Sequence, residues 1–391
     1  MNNAKKKVLY IFGGEEASGA EMVIERLIEY NENFVDAFLF VSPGKFADDI
    51  AKKNICATIQ LDHLKKLNRS QTSGLNFYYK ALLNYFSISW AVLKFINKYK
   101  IGVVHANTVV PASYLLPAIL WAKLFRPKVR WIWSDHDLSY FTKLDHILSR
   151  LCTRFFDCTL TVSDAVKRKY NPSKKIITFY NGLDTNIFKA DDNLRQNQRD
   201  KFGLNKNELV FTIAATISPR KGQLSLIESF AELIKVYPQI KLFIAGGNAI
   251  DTPEYTKKVF DKAQLYKSNV HILGKVTDML ALYNASDVII NNSNMAGSEP
   301  LGTTIYEAMA CEKVVLVSDT GGNREIVDEK INGFIFKADD IKCLKNAMEY
   351  VLLNDKHMAA IRLASRQKVI HKFNIVNMVN CYNDIIKNFI K

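Results

Sequence analysis

Residues Ser298–Cys311 read SEPLGTTIYEAMAC. Two glutamates, Glu299 and Glu307, stand eight residues apart, with the small-residue run Leu301-Gly302-Thr303-Thr304 between them. Behind Glu307 come the strong helix formers Ala308-Met309-Ala310. This pattern is a loop running into the start of a buried helix. Gly302 permits close backbone approach, and Thr303 or Thr304 suits a helix cap. The first N–H groups of a helix are unpaired and its dipole end is positive, so such a start favours an anion. Glu299 then falls in the loop and Glu307 in the second turn. The plainer alternative is a capped core helix with two solvated glutamates.

At 391 residues the chain is too long for one ordinary core, so two domains are expected. No apolar run is long enough to span a bilayer, and the charged start up to residue 12 leads into a strand rather than reading as a cleaved signal. Six scattered cysteines without a CxxC pair fit reduced thiols in a cytoplasm. Net charge is +14, and residues 1–180 hold most of it, with 26 Lys and Arg against 15 Asp and Glu. No nucleic-acid module is visible, so an anionic substrate or an anionic membrane surface is the more economical partner.

Along the chain, short apolar runs alternate with helical patterns. Lys7–Phe12 is a strand, Gly13–Glu21 a glycine loop and Met22–Tyr30 a helix, the opening of a βα unit. Gly14 and Gly19 have P-loop spacing, but Ala20-Glu21 stands where Lys-Ser/Thr belongs, and there is no GxGxxG. The amides of Ser18-Gly19 at a helix start remain able to face a diphosphate; a plain tight turn is the alternative. Leu75–Lys100 is a long aromatic helix ending in lysines, either a core stripe or a helix lying on a membrane. Val129–Trp133 is a strand followed by Ser134-Asp135-His136-Asp137. His136 at such a strand end suits a polar substrate contact. Asp135-x-Asp137 matches a metal-nucleotide signature only weakly, and the other histidines show no zinc-ligand spacing, so no metal is expected.

Polar residues 185–204 read as a linker. The alternation then restarts: strand Leu209–Ala215, loop Ser218–Gly222 (SPRKG), helix Gln223–Val236, and strand Lys241–Ala245 ending in Gly246-Gly247. After residues 298–311 come strand Lys313–Ser318 and the loop Thr320–Asn323 (TGGN). The expected domains are 1–184 and 205–371, each a doubly wound α/β sheet, with the amphipathic segment 372–391 packing back on the first.

Taken in order, GGEEASGAE, WSDHD, YNGLD, SPRKG, AGG, EPLGTTIYEAMAC and SDTGGNREIV resemble the group 1 (family 4) glycosyltransferases over nearly the whole length. That resemblance implies the GT-B fold, two Rossmann-like domains facing across a cleft, and a nucleotide-diphosphate sugar held mainly by the second. It implies that Glu307 accepts from the ribose hydroxyls, a task that suits a carboxylate. Glu299 faces the donor sugar, and Leu301, Gly302 and Thr303 hold the distal phosphate or sugar. Lys221 and Arg220 neutralise the diphosphate leaving group, with Gly246 at a neighbouring strand end. Gly19 approaches the phosphates, and His136 contacts the sugar. Glu299, His136 and Lys221 are the catalytic candidates. Transfer proceeds with retention and without a metal or other cofactor. The acceptor is a saccharide or lipid-linked saccharide met by Glu15-Glu16, Asn107-Thr108 and Leu138–Phe141. A cytoplasmic enzyme at the inner face of the membrane, building cell-surface polysaccharide or lipopolysaccharide, fits the basic first half. Two departures stand out: Thr216 occupies a place often held by arginine, and Pro300 one often held by glycine. The rival functions are a nucleotide-sugar epimerase of the same fold and a non-catalytic nucleotide-binding protein.

Overall fold

The computed structural model describes residues 5–15, 19–64, 75–140, 142–297, 299–354 and 357–390. Glu16, Ser18, Phe141 and Ser298 lie outside the described residues. The chain divides into two compact units, Met1–Gly182 with Ile375–Lys391, and Leu183–Asn374.

The first unit runs β1 (Lys6–Ile11), α1 (Gly19–Glu29), β2 (Val35–Val41), α2 (Lys45–Lys53), β3 (Ala57–Gln60), α3 (Leu75–Tyr99), β4 (Val103–Asn107), α4 (Val109–Tyr114), α5 (Leu116–Phe125), β5 (Arg130–Asp135), α6 (Lys143–Phe155), β6 (Cys158–Thr161), α7 (Asp164–Lys167) and β7 (Ile176–Thr178). Its parallel strands lie in the order β3-β2-β1-β4-β5-β6-β7. Such strands are buried on both faces and read as continuous apolar runs rather than alternating ones.

The second unit runs α8 (Asp192–Lys201), β8 (Val210–Ala214), α9 (Gln223–Ile234), β9 (Lys241–Ala245), α10 (Pro253–Gln264), β10 (Val270–Gly274), α11 (Met279–Ala285), β11 (Val288–Asn291), α12 (Thr303–Ala310), β12 (Val314–Ser318), α13 (Asn323–Ile326), β13 (Phe334–Phe336), α14 (Ile341–Leu353) and α15 (Met358–Lys372). Its order is β10-β9-β8-β11-β12-β13, again parallel. Both sheets reverse strand order once, between β1 and β4 and between β8 and β11. Open α/β sheets bind ligands outside the carboxyl ends of the strands at that reversal.

α16 (Ile375–Ile390) returns to the first unit. Tyr382 on it meets His105 Nδ1 at 2.9 Å, and His105 Nε2 meets Ser134 Oγ at 2.7 Å, tying the helix to β4 and β5. Burial pushes His105 down to about 3, so it is neutral in this network. Gly182 permits the junction, because a Cβ there would lie 2.7 Å from Ile375 Cα.

Residues 185–204 are not a linker. They belong to the second unit, and α8 is capped by Asp191, whose side chain accepts from Leu194 N. Arg195 meets Asp287 Oδ1 at 2.6 Å, and the buried Arg199 meets Asp287 Oδ2 at 3.3 Å. Arg199 also donates to the carbonyls of Asn205 and Glu208. The polar composition that reads as linker is the set of charges that clasps α8 to Asp287 at the start of β11. Asp287→Ala leaves both guanidiniums without their carboxylate and is expected to cost about 3 kcal/mol. Urea unfolding measures it; an unchanged midpoint would show that α8 is not held by this clasp.

Candidate active site

Lys221 and Glu299 are 78 residues apart in sequence and form an ion pair, the Nζ against Oε1. They follow β8 and β11, the two strands at the order reversal of the second sheet. Ser293 Oγ donates to the same Glu299 oxygen at 2.9 Å. Burial, reinforced by the Arg220 guanidinium, pushes the Lys221 amine down to about 8. The Glu299 carboxylate against it favours the charged form.

Local chemistry builds each arm. Pro219–Lys221 make one 3-10 turn that ends at Gly222 with φ 65°, a left-handed position that favours glycine. A Cβ on Gly222 would also lie 2.6 Å from Asn292. Asn292 Nδ2 donates to Gly222 O at 2.8 Å and to Ser225 Oγ at 3.0 Å. Asn294 N donates to Arg220 O at 3.0 Å. The two loops are thus stitched together through backbone groups, and Arg220 is exposed at their rim. Asn292 and Ser293 are positioning groups that sequence reasoning missed. Asparagine and serine after an apolar strand are ordinary loop residues, and only the partner loop reveals their work.

The start of α12 departs from expectation in one respect. Its N-cap is Gly302, with no side-chain cap, and Thr303 and Thr304 are already helical. Thr303 and Thr304 are only partly buried, whereas Leu301 and Gly302 are buried. Gly302 packs closely under the helix, where a Cβ would lie 2.6 Å from Ile305 Cδ1 and displace that side chain. Pro300 begins this turn; the Glu299 carbonyl just before it accepts from Gly322 N at 2.8 Å, tying in the TGGN loop. Glu307 is buried in the second turn, and its Oε2 accepts from Tyr283 OH at 2.9 Å. Burial and that carboxylate raise the Tyr283 phenol well above its ordinary range, so it remains a donor.

Gly246 has a packing reason of its own: a Cβ there would lie 1.9 Å from the Ala215 carbonyl. Thr216 is exposed, and its carbonyl accepts from Gln223 Nε2 at 3.0 Å. Lys221, Glu299 and the α12 start therefore gather at the carboxyl ends of β8 and β11, with Glu307 one turn deeper. Cations, a helix start and a buried carboxylate in that order suit an anion joined to a polyhydroxyl group.

In the first unit, His136 follows β5, and its Nε2 meets Asn107 Oδ1 at 2.8 Å. Burial, helped by Lys169, pushes His136 down to about 4, so it is a neutral hydrogen-bonding group. Asn107 ends β4, and Thr108 after it holds φ 69°, uncommon for a β-branched residue. Asp135 is buried, meeting Lys169 Nζ at 2.6 Å and accepting from Tyr170 OH. It holds the strand end together. A Cβ at Gly19, the first residue of α1, would meet nothing within 4 Å.

Two family models match in tandem. The model for Glycosyltransferase Family 4 covers residues 18–187, and that for Glycosyl transferases group 1 covers residues 195–368. The chain belongs to the group 1 glycosyltransferases. Among curated relatives of this glycosyltransferase, the putative glycosyltransferase EpsD of Bacillus subtilis is 24% identical over 272 residues, 66% of this chain and 68% of that protein. The UDP-Gal:alpha-D-GlcNAc-diphosphoundecaprenol alpha-1,3-galactosyltransferase of Escherichia coli is 26% identical over 223 residues, 56% of each chain. Among solved structures, Anabaena HepE in complex with UDP-glucose superposes with a TM-score of 0.80 at 20% identity, covering 98% of this chain and 99% of that one. The fold of the glycosyltransferase is accordingly GT-B, with two Rossmann-like units.

Proposed function

We propose that this glycosyltransferase moves a sugar from a nucleotide diphosphate to a saccharide or lipid-linked acceptor, with retention at the anomeric carbon and without a metal ion. The observation that carries the proposal is the Lys221–Glu299 pair at the β8/β11 reversal, with Glu307 behind it. In this mechanism the diphosphate takes Lys221 and Arg220 as counter-charges. The bond from C1 to the phosphate oxygen breaks, and its electron pair leaves with the diphosphate. The acceptor oxygen bonds C1 on the same face and passes its proton to the departing phosphate. Cations aimed at that developing charge act where preorganised electrostatics matter most. Glu307 holds the ribose hydroxyls. Glu299 stands beside the sugar and steers Lys221, and neutral His136 hydrogen-bonds the sugar from the first unit.

Relatives support a cell-surface role. The E. coli relative acts on a diphosphoundecaprenol-linked acceptor by its name, and a Salmonella typhimurium relative is a lipopolysaccharide N-acetylglucosaminetransferase. Work at the cytoplasmic side of a membrane fits both. No helix among the described residues is long and apolar enough to cross one.

A thermal-shift panel of nucleotide sugars identifies the donor, and the product of that donor is then analysed by NMR. The expected product keeps the donor's anomeric configuration, and excess chelator leaves the rate unchanged. Inverted product would overturn retention. Abolition by chelator would bring back Asp135 and Asp137 as metal ligands. An isomerised sugar nucleotide formed without acceptor would make the enzyme an epimerase.

A further inference from the structure

We infer that the outer faces of α3, α5 and α6 form a docking surface for an anionic lipid bilayer. The inner faces of these helices are core: Ile88, Val92 and Ile96 of α3, Ala118, Ile119 and Ala122 of α5, and Cys152 of α6 pack on the first sheet. That burial satisfies each helix's usual need for one apolar stripe. Each carries a second apolar stripe that faces out.

On α3 this stripe is Tyr79, Leu82, Phe86 and Trp90, spaced at three, four and four residues, and Trp90 is 62% exposed. On α5 it is Leu120, Trp121, Leu124 and Phe125, with Leu124 77% exposed. On α6 it is Leu144, Ile147 and Leu151. The stripes adjoin. Ser89 Oγ on α3 accepts from Ala118 N of α5 at 3.1 Å. Lys123 of α5 lies 5.9 Å from the Phe155 ring of α6. Phe86, Trp90 and Leu93 line a cavity of about 550 Å³ together with Pro117 and Trp121. Apolar residues exposed singly need no explanation, but a contiguous patch across three helices marks an interaction surface.

Charge selects the occupant. Between Leu75 and Ser134 there is no Asp or Glu and there are eight Lys or Arg. Lys80, Lys94, Lys98, Lys123, Arg126 and Lys128 are all exposed. Lys94 Nζ sits 5.3 Å from the Trp90 ring, so a cation and an interfacial aromatic share one spot. On α3 and α5 an apolar stripe with tryptophans, rimmed by cations and without carboxylates, has the composition of an interfacial helix face, and α6 adds Lys143, Arg150 and Arg154 against the single Asp145. A second copy of this chain would bring like charges together along the same rim. A bilayer bearing acidic headgroups neutralises them, each cation near the surface adding about fivefold to the affinity. Phe86, Trp90 and Leu124 enter the acyl boundary while the lysine stems reach back to the headgroups.

This inference is independent of the sugar-transfer proposal, so the two can fail separately. The test is flotation of the full chain with vesicles of phosphatidylcholine alone or with about one third phosphatidylglycerol. The expected result is at least about tenfold tighter partition to the anionic vesicles, lost at high salt. The chain has four tryptophans, and Trp131 and Trp133 are almost fully buried, at 1% and 0% exposure. Brominated lipid should therefore quench Trp90 and Trp121 only, and the Trp90→Phe variant should lose a large share of the quenching. The F86S/W90S/L124S variant changes exposed positions, so it should melt like the parent and lose vesicle binding. Lys221→Ala should bind vesicles as the parent does. Equal partition to neutral and anionic vesicles, or undiminished binding by the triple variant, would overturn the inference. So would a concentration-dependent dimer that the triple variant disperses, because the patch would then be covered by a second copy.

Discussion

Lys221→Ala is expected to lower kcat by about 10²–10³-fold, the scale set by removing one group that stabilises charge developing in a transition state. The drop falls on kcat rather than KM, because the leaving diphosphate gains charge only as the bond to C1 breaks. The substitution also strands Glu299 beside Ser293, which invites a second explanation. The double variant Lys221→Ala/Glu299→Ala separates them. If the stranded carboxylate caused the loss, the double variant is no slower than Glu299→Ala alone; if the missing cation did, it is slower than Glu299→Ala by a further large factor. The pH profile adds a direct check on the same amine. It is pushed down to about 8, and its protonated form is the one that serves. The parent's kcat/KM is therefore intact below pH about 8 and falls above it, by about tenfold per unit. Lys221→Arg keeps its charge throughout and should flatten that limb. A parent profile that stays level well above pH 8 would remove Lys221 from the leaving-group role.

Glu307→Ala is expected to raise KM for the donor by about 10²–10³-fold with a smaller change in kcat. Two hydrogen bonds to a carboxylate are worth about 3–5 kcal/mol, and the ribose is held in ground state and transition state alike. The same change leaves the buried Tyr283 hydroxyl without its carboxylate and should cost about 1–3 kcal/mol of stability. Glu307→Gln keeps an acceptor for Tyr283, so its melting temperature should stay near the parent's while its KM still rises. Isothermal titration with the nucleoside diphosphate reads the affinity without turnover. Unchanged affinity in both variants would take the ribose away from Glu307.

Much of this architecture is legible in the sequence. Alternating apolar runs and helical patterns mark two parallel α/β units because strands buried on both faces are short, apolar and separated by crossover helices. The segment SEPLGTTIYEAMAC is legible as loop then helix because glycine, proline and alanine preferences act locally. Where local chemistry was ambiguous, the expectation slipped. α8 is built from DNLRQNQRDK, whose polarity reads as linker until Asp287 supplies a partner for Arg195 and Arg199. The threonines after Gly302 look like caps because their type permits it, but helix winding begins one residue earlier than a threonine cap requires.

The sequence alone determined the element types, the two-unit plan, the family resemblance and the candidate residues, since each rests on short-range pattern or on ordered motifs. Only the tertiary structure decided which strand ends are neighbours. The order β10-β9-β8-β11-β12-β13 brings Lys221 to Glu299 and Asn292 to Gly222. Periodicity cannot announce such pairings, because a parallel strand carries no mark of its lateral partner. Likewise, an aromatic helix such as Leu75–Tyr99 has a core side and an outer side. Which of its rings lie on each was settled by the sheet it packs against.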